Sequence, residues 1–334
     1  MSLVINGFSA QGSTLVTYPS SPRLAESIRI SIRVVSFAIE RLKLLTRRKF
    51  LYTGAITGAS FAALGADGFV QSKHIEIKKI EISLARLPEA FDGFTIAQLS
   101  DFHYEDHFSV FPIRESVQIV NSLNPDLIVL TGDFITVPIV DTHSRNARKA
   151  AKSAAPCAAI LRDLKAPMGK FAILGNHDAN ADPPRVIGAL REHGIPALVN
   201  RSVPLERGSA RIWLAGIDDA LDGRPDLGAA IENLPSGETV VLLAHEPDFA
   251  DEAALSSIDL QLSGHSHGGQ IWFPIIGAPW LPPLARNYPR GLYNVGKLVL
   301  YTNLGIGTIR APIRINCPPE VTLITLRAAK HKMS

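Results

Sequence analysis

The chain has 334 residues, with 34 Lys and Arg against 31 Asp and Glu, a net charge of +3. It therefore lacks the basic footprint of a nucleic-acid binder, and no nucleic-acid partner is expected. Two cysteines, Cys157 and Cys317, exclude a disulfide framework and read as small buried side chains.

Residues 1–23 are rich in Ser, Thr, Gly and Pro without a period, and read as a disordered leader. Residues 24–70 differ. From Leu24 to Leu45 apolar residues mix with arginines and lysines, the pattern of a basic amphipathic helix at a membrane surface. Thr46-Arg47-Arg48-Lys49-Phe50-Leu51 then precedes a weakly apolar stretch to about Ala66. Paired arginines ahead of a modest apolar segment resemble a twin-arginine export signal; the other reading is a membrane anchor with basic flanks. Both put the rest of the chain outside the cytoplasm, and the first implies the twin-arginine export machinery as a partner.

Residues 71–334 read as one large domain. His74 to Leu84 alternates between isoleucines and charged residues and is expected as a strand, as is Phe94 to Leu99. The second ends in Asp101-x-His103. Ile113 to Leu123 has helical spacing, and Asn124-Pro125-Asp126 turns the chain into the apolar run Leu127–Leu130, which ends at Thr131-Gly132-Asp133. Ser144 to Lys165 is expected to be helical, with a break or a start at Pro156. Phe171 to Leu174 is another buried strand, ending in Gly175-Asn176-His177-Asp178. Pro183 to Glu192 reads as a helix with His193 in its last turn, and His107 and His143 read as surface histidines. Ile212–Ile217 and Thr239–Ala244 are expected strands, the latter ending at His245. The run from Ile258 to Leu262 leads into Ser263-Gly264-His265-Ser266-His267-Gly268-Gly269-Gln270. Side chains two apart on an extended segment point the same way, so both imidazoles are expected to face one site.

Each polar cluster alone is ordinary loop chemistry. Their recurrence at successive strand ends is the argument, because strands alternating with helices make an α/β architecture whose sites form at the carboxyl ends of the strands. Asp101, His103, Asp133, Asn176, His245, His265 and His267 are oxygen and nitrogen donors without cysteine, which suits Mn, Fe or Zn. Seven donors exceed what one tetrahedral ion needs and match two divalent metal ions sharing a carboxylate.

These motifs, in this order, resemble all five motifs of the calcineurin-like metallophosphoesterases, over roughly His74 to Arg327. The extension His267-Gly268-Gly269-Gln270 and the tail Cys317-Pro318-Pro319-Glu320 are similar to a bacterial branch that carries twin-arginine leaders. The resemblance implies a four-layer αββα sandwich of two mixed sheets flanked by helices. It implies one metal on Asp101, His103 and His267, a second on Asn176, His245 and His265, and Asp133 bridging them. His177 would contact the phosphate and protonate the leaving oxygen, with Asp178 orienting its ring. The implied reaction is hydrolysis of a phosphate ester, most simply a phosphodiester, by hydroxide that the two metals generate near neutral pH.

The stretch from Ile271 to Asn294 carries Trp272, Phe273, Ile275, Ile276 and Trp280, then Arg286 and Arg290. It reads either as a lid meeting a lipid-linked substrate or a membrane, its arginines gripping phosphate, or as a loop packed on the sheet. Thr302 to Gly307 reads as a turn near the metals from which Asn303 reaches substrate, or as plain turn chemistry. Two further functional readings stand beside the phosphodiesterase. One is a lipid-directed pyrophosphate hydrolase resembling the UDP-2,3-diacylglucosamine hydrolases. The other is a non-catalytic metal-binding surface protein, which would not need His177 and Asp178.

Overall fold

The computed structural model describes residues 47–105, 108–137 and 144–329. Residues 1–23, the Leu24–Leu45 segment, His107 and His143 lie outside the described residues. Residue contacts divide the chain into one unit ending at Ala63 and a second, Leu64–Ser334. Helix α1, Arg47–Gln71, opens on the arginine pair. Among the described residues no helix is long and apolar enough to cross a membrane. The last turns of α1 belong to the larger unit, where Arg314 N donates to Gly68 O at 2.9 Å and Asn316 N donates to Gln71 Oε1 at 2.9 Å.

The larger unit continues with β1 (Glu76–Leu84), β2 (Thr95–Leu99), α2 (Val110–Leu123), β3 (Leu127–Leu130), α3 (Ser144–Ala150), α4 (Ala154–Leu161) and β4 (Lys170–Ala172). Then follow α5 (Asn176–Ala181), α6 (Pro183–Glu192), β5 (Arg201–Arg207), β6 (Ala210–Gly216), α7 (Leu227–Ile231) and β7 (Val240–Leu243). The last elements are α8 (Ala250–Ala253), β8 (Leu260–Ser263), β9 (Gly291–Val295), β10 (Leu298–Thr302) and β11 (Glu320–Ala328).

Local signals account for several boundaries. Helix α2 ends where Asn124 takes a left-handed conformation ahead of Pro125. Helix α6 starts with Asp182 accepting from Arg185 N and prolines in the first turn, where no intrahelical donor is needed. The basic stretch, expected to break or start at Pro156, divides at a 3₁₀ turn over Ala151–Ser153. Pro156 sits in the first turn of α4, in line with the start reading, where its missing N–H costs nothing.

Two mixed sheets form, in the orders β1-β11-β2-β3-β4 and β5-β6-β7-β8-β10-β9. Strands β2, β3 and β4 are mutually parallel, as are β6, β7, β8 and β10, while β11 runs parallel to β1 and antiparallel to β2. Alternation along each strand sorts the apolar side chains into layers. Leu127 and Val129 of β3 face Val241 and Leu243 of β7, Leu260 and Leu262 of β8, and Ile324 and Leu326 of β11 in a core between the sheets. Ile128 and Leu130 point the other way, into a core with Ile113 and Val120 of α2, Leu161 of α4 and Leu190 of α6. Leu242 packs on the far side of the second sheet with Leu227 and Ala230 of α7 and Ala253 of α8. Three apolar layers separate four structural ones, so the chain forms an αββα sandwich. The carboxyl ends of β2, β3, β4, β7 and β8 meet along one edge, where Gln98 Nε2 donates to Ser263 O at 2.9 Å and joins the two sheets.

Candidate metal centre

The loops after those strands carry the expected ligands, but not as extended strand tips. Asp101 (φ 52°), His103 (43°), Asp133 (57°), His265 (66°) and His267 (50°) all have left-handed backbone. For non-glycine residues that conformation costs about 1–3 kcal/mol each and persists only where surrounding contacts enforce it. Here Asp101 N donates to Gly132 O at 2.9 Å, His103 N to Asp133 O at 3.0 Å, and Gly264 N to His245 O at 3.0 Å. Two glycines permit the loops to close on one another. A Cβ at Gly175 would strike the Asp133 carboxylate and come within 2.7 Å of the His245 ring, and one at Gly264 would strike Ser100 and Asp101.

Asp101, His103, Asp133, His245, His265 and His267 are all buried. Their donor atoms form two adjoining groups, Asp101–His103–His267 and Asp133–His245–His265, within each of which the atoms lie no more than 4.8 Å apart. His267 Nε2 is 3.3 Å from Asp101 Oδ1 and 3.0 Å from His103 Nε2. Asp133 Oδ2 is 3.5 Å from His103 Nε2 and 3.3 Å from His245 Nε2, so this carboxylate lies between the two groups. Asn176 joins the second group, its Oδ1 3.1 Å from His265 Nδ1.

Contacts behind the rings decide which nitrogens face the centre. His245 Nδ1 donates to Thr131 O at 2.6 Å and His265 Nε2 to Pro283 O at 2.9 Å, which leaves His245 Nε2 and His265 Nδ1 directed inward. His245 Nε2 is buried and makes no hydrogen bond. An orphaned imidazole nitrogen between two buried carboxylates, faced by further imidazoles, is a donor set that a divalent cation satisfies.

Electrostatics agree. Burial drives His103 and His265 down to about 3 and His267 well below the ordinary imidazole range, so three rings are neutral and able to ligate. Burial pushes the Asp101 carboxyl up to about 6, with the Asp133 charge adding to it against the pull of His245. Burial also opposes charge on Asp133, but the neighbouring His245 holds it well below the usual carboxylate range. Burial disfavours the His245 imidazolium, yet the Asp133 charge outweighs it and holds His245 well above its ordinary value. Buried carboxylates drawing a proton onto a neighbouring ring mark a place where positive charge is wanted.

His177 lies beside the centre, its backbone N donating to Asp133 Oδ1 at 2.9 Å. Val137 N donates to His177 Nδ1 at 2.9 Å, so the neutral ring carries its proton on Nε2. Asp178 does not orient that ring, contrary to the expectation from the resemblance. Its fully buried carboxylate accepts from Phe134 N at 3.0 Å, Ile135 N at 3.3 Å and Gly175 N at 3.0 Å, tying the Asp133 loop to the start of α5.

The three expected substrate residues are elsewhere. Asn303 is fully buried, donating to Thr322 Oγ1 at 2.8 Å and Glu320 Oε1 at 3.2 Å while accepting from Gly305 N at 2.7 Å; both amide hydrogens are engaged within the fold. Arg286 is exposed and sits outside the cavity at the centre, and Arg290 lies over the Trp272 ring at 4.9 Å and donates to Asn316 O at 3.2 Å. Sequence reasoning missed Arg310, which lines that cavity, and Arg314, which is fully buried with its guanidinium 3.3 Å from His267 Nδ1. The alternation Ile313-Arg314-Ile315 was the available signal for Arg314, though it reads equally as a strand with one solvated face.

Residues 94–269 match the calcineurin-like phosphoesterase family. An uncharacterized metallophosphoesterase of Bacillus subtilis (strain 168), YkuE, is 35% identical over 86% of this chain and 99% of its own length. Phosphodiesterase YaeI of Escherichia coli (strain K12) is 31% identical over 85% of this chain and 100% of its own. A transmembrane protein with metallophosphoesterase domain of Danio rerio is 34% identical over 76% of this chain and 58% of its own. With the histidine and carboxylate groups converging at one sheet edge, these likenesses establish that the chain belongs to the calcineurin-like phosphoesterases and is a metal-dependent phosphoric ester hydrolase.

Proposed function

We propose that this hydrolase is a dinuclear phosphodiesterase acting outside the cytoplasm. Asp101, His103 and His267 would hold one divalent cation (Mn, Zn or Fe), and Asn176, His245 through Nε2 and His265 through Nδ1 a second, with Asp133 shared. The observation that carries this reading is the orphaned His245 Nε2, 3.3 Å from Asp133 Oδ2 in the midst of the other donors. When bound, such cations supply a hydrolytic nucleophile near neutral pH and screen the charge on the phosphoryl group.

The chain's own residues do the rest. His177 carries Nε2–H beside the centre, so it can hydrogen-bond a phosphoryl oxygen and pass its proton to the leaving oxygen as the P–O bond breaks, recovering a proton from solvent. Water adds across that bond, its oxygen staying on phosphorus. No covalent attachment to the protein is required. The name of the E. coli relative supports diesters as substrates.

The deciding experiment reconstitutes the full chain with Mn, Zn or Fe and quantifies metal beside hydrolysis of bis-p-nitrophenyl phosphate and p-nitrophenyl phosphate. We expect two metals per chain, faster diester than monoester turnover, and loss of both metal and turnover in Asp133→Asn. Failure to retain metal under any condition would overturn the reading. Export is supported by the arginine pair that opens α1 and by relatives named as transmembrane proteins. Replacing Arg47 and Arg48 by lysine should abolish it, and unchanged export would remove that part.

A further inference from the structure

The centre opens into a cavity of about 520 Å³, a size suited to a ligand much larger than phosphate. His177, His265 and His267 form one end. Away from them the walls are apolar, built by Val137, Leu221, Ile271, Trp280, Ile309 and Ile313.

Away from the histidines, only Asn180, Gln270 and Arg310 offer polar side chains to a sugar or a base. Gln270 is already engaged: its Nε2 donates to Ile309 O at 3.2 Å and Ile313 O at 3.4 Å, and its Oε1 accepts from Ile309 N. Asn180 donates to Asp222 Oδ2 at 3.4 Å. A polyhydroxylated ester group would lose its water here without recovering its hydrogen bonds, which opposes binding. An alkyl chain would gain from the same surfaces.

The rim continues the pattern. Trp280, 55% exposed, belongs to the 271–284 loop that also carries Ile275 at 98% and Ile276 at 80% exposure. Large aliphatic side chains so exposed beside an apolar cavity mark a surface that meets apolar material. The Arg310 guanidinium lies over the Trp280 ring at 5.4 Å and supplies a cation at this rim, suited to an anionic headgroup.

We propose that the substrate is an amphiphilic phosphate ester, its phosphate at the histidine end and its acyl or alkyl chain in the cavity between Trp280, Ile309 and Ile313. This rests on the phosphoesterase reading of the same centre and adds the class of ester group that the phosphate carries.

The test has two arms on the full chain. In the first, p-nitrophenyl alkyl phosphates from methyl to dodecyl, kept below micelle formation, are hydrolysed by the metal-loaded protein. We expect kcat/KM to climb roughly two- to fourfold per methylene until the cavity is filled. Ala311→Trp, which puts an indole at an exposed wall position, should lower the dodecyl-to-methyl ratio at least tenfold. Leu221→Asp should do the same through a different wall if that variant folds poorly.

In the second arm, n-dodecyl phosphate and n-butyl phosphate are titrated into metal-free protein, with tryptophan fluorescence as readout. Dodecyl phosphate should bind at least 100-fold more tightly, with the signal lost in Trp280→Phe. Equal affinities, together with a kcat/KM independent of chain length, would overturn the proposal. If bis-p-nitrophenyl phosphate is also inert, the phosphoesterase reading falls too, whereas turnover of that compound without chain-length dependence sinks the amphiphile alone.

Discussion

His177 is held with its proton toward the centre by a backbone amide, that of Val137, and its role can be separated from ligation. His177→Ala should keep its metals and its melting temperature while kcat falls by roughly 10²–10⁴-fold, the range of a positioned acid or electrostatic donor. Metal content and turnover measured on one sample check it. Asp178→Ala should behave in the opposite way. It strips the acceptor from the amides of Phe134, Ile135 and Gly175, costing about 2–4 kcal/mol, and should lower thermal stability and metal retention together. A third expectation is pH dependence. Cations compete with the protons on Asp101, pushed up to about 6, and on His245, held above its ordinary value, so apparent affinity should rise with pH through about 6. Manganese or zinc titrations by calorimetry at pH 5, 6 and 7 should show tighter binding and proton release. An affinity flat across that range would place the ligands elsewhere.

Among the elements, the loops that leave the strands are fastened by Arg314. Its Nη1 donates to Leu304 O at 2.9 Å and Cys317 O at 3.0 Å, and its Nη2 to Gly305 O at 3.2 Å and to Gly307 O. Gly307 N in turn donates to Asp101 O at 2.7 Å, so this guanidinium stands behind the first ligand loop. Arg314→Met should lose about 2–4 kcal/mol in urea melts by leaving the Leu304, Gly307 and Cys317 carbonyls without this donor, and Arg314→Lys should recover only part, because one ammonium cannot span the fork. Strands such as Leu127–Leu130 and Val240–Leu243 were legible because a short, continuous apolar run that stops at a polar residue fits a strand covered on both faces and little else. The loop conformations were not legible. Asp101-x-His103 reads the same whether extended or left-handed, and only contacts from Gly132 and Gly307 decide. For Asn303 the turn reading was half legible: Gly305 N donates to its Oδ1 locally, while the partners that take its amide hydrogens, Glu320 and Thr322, lie seventeen and nineteen residues on, beyond any local turn pattern.

At the scale of the whole molecule, the unit from Leu64 contains the three apolar layers and the metal centre together. A fragment starting at Leu64 should melt cooperatively and keep the metal stoichiometry of the full chain, which differential scanning calorimetry and metal analysis would check. Its topology carries a further consequence. Strand β11 lies between β1 and β2, pairing Glu76 with Glu320 and Thr95 with Thr325, so the strand that bridges the start of this unit to its middle comes after every other strand among the described residues. A nascent chain still on the ribosome at residue 319 holds β1 with no neighbour and β2 with one open edge, and each is an invitation to foreign strands. The first sheet accordingly stays open until residues 320–328 emerge, and dependence on holding chaperones should be greatest in the interval before they do.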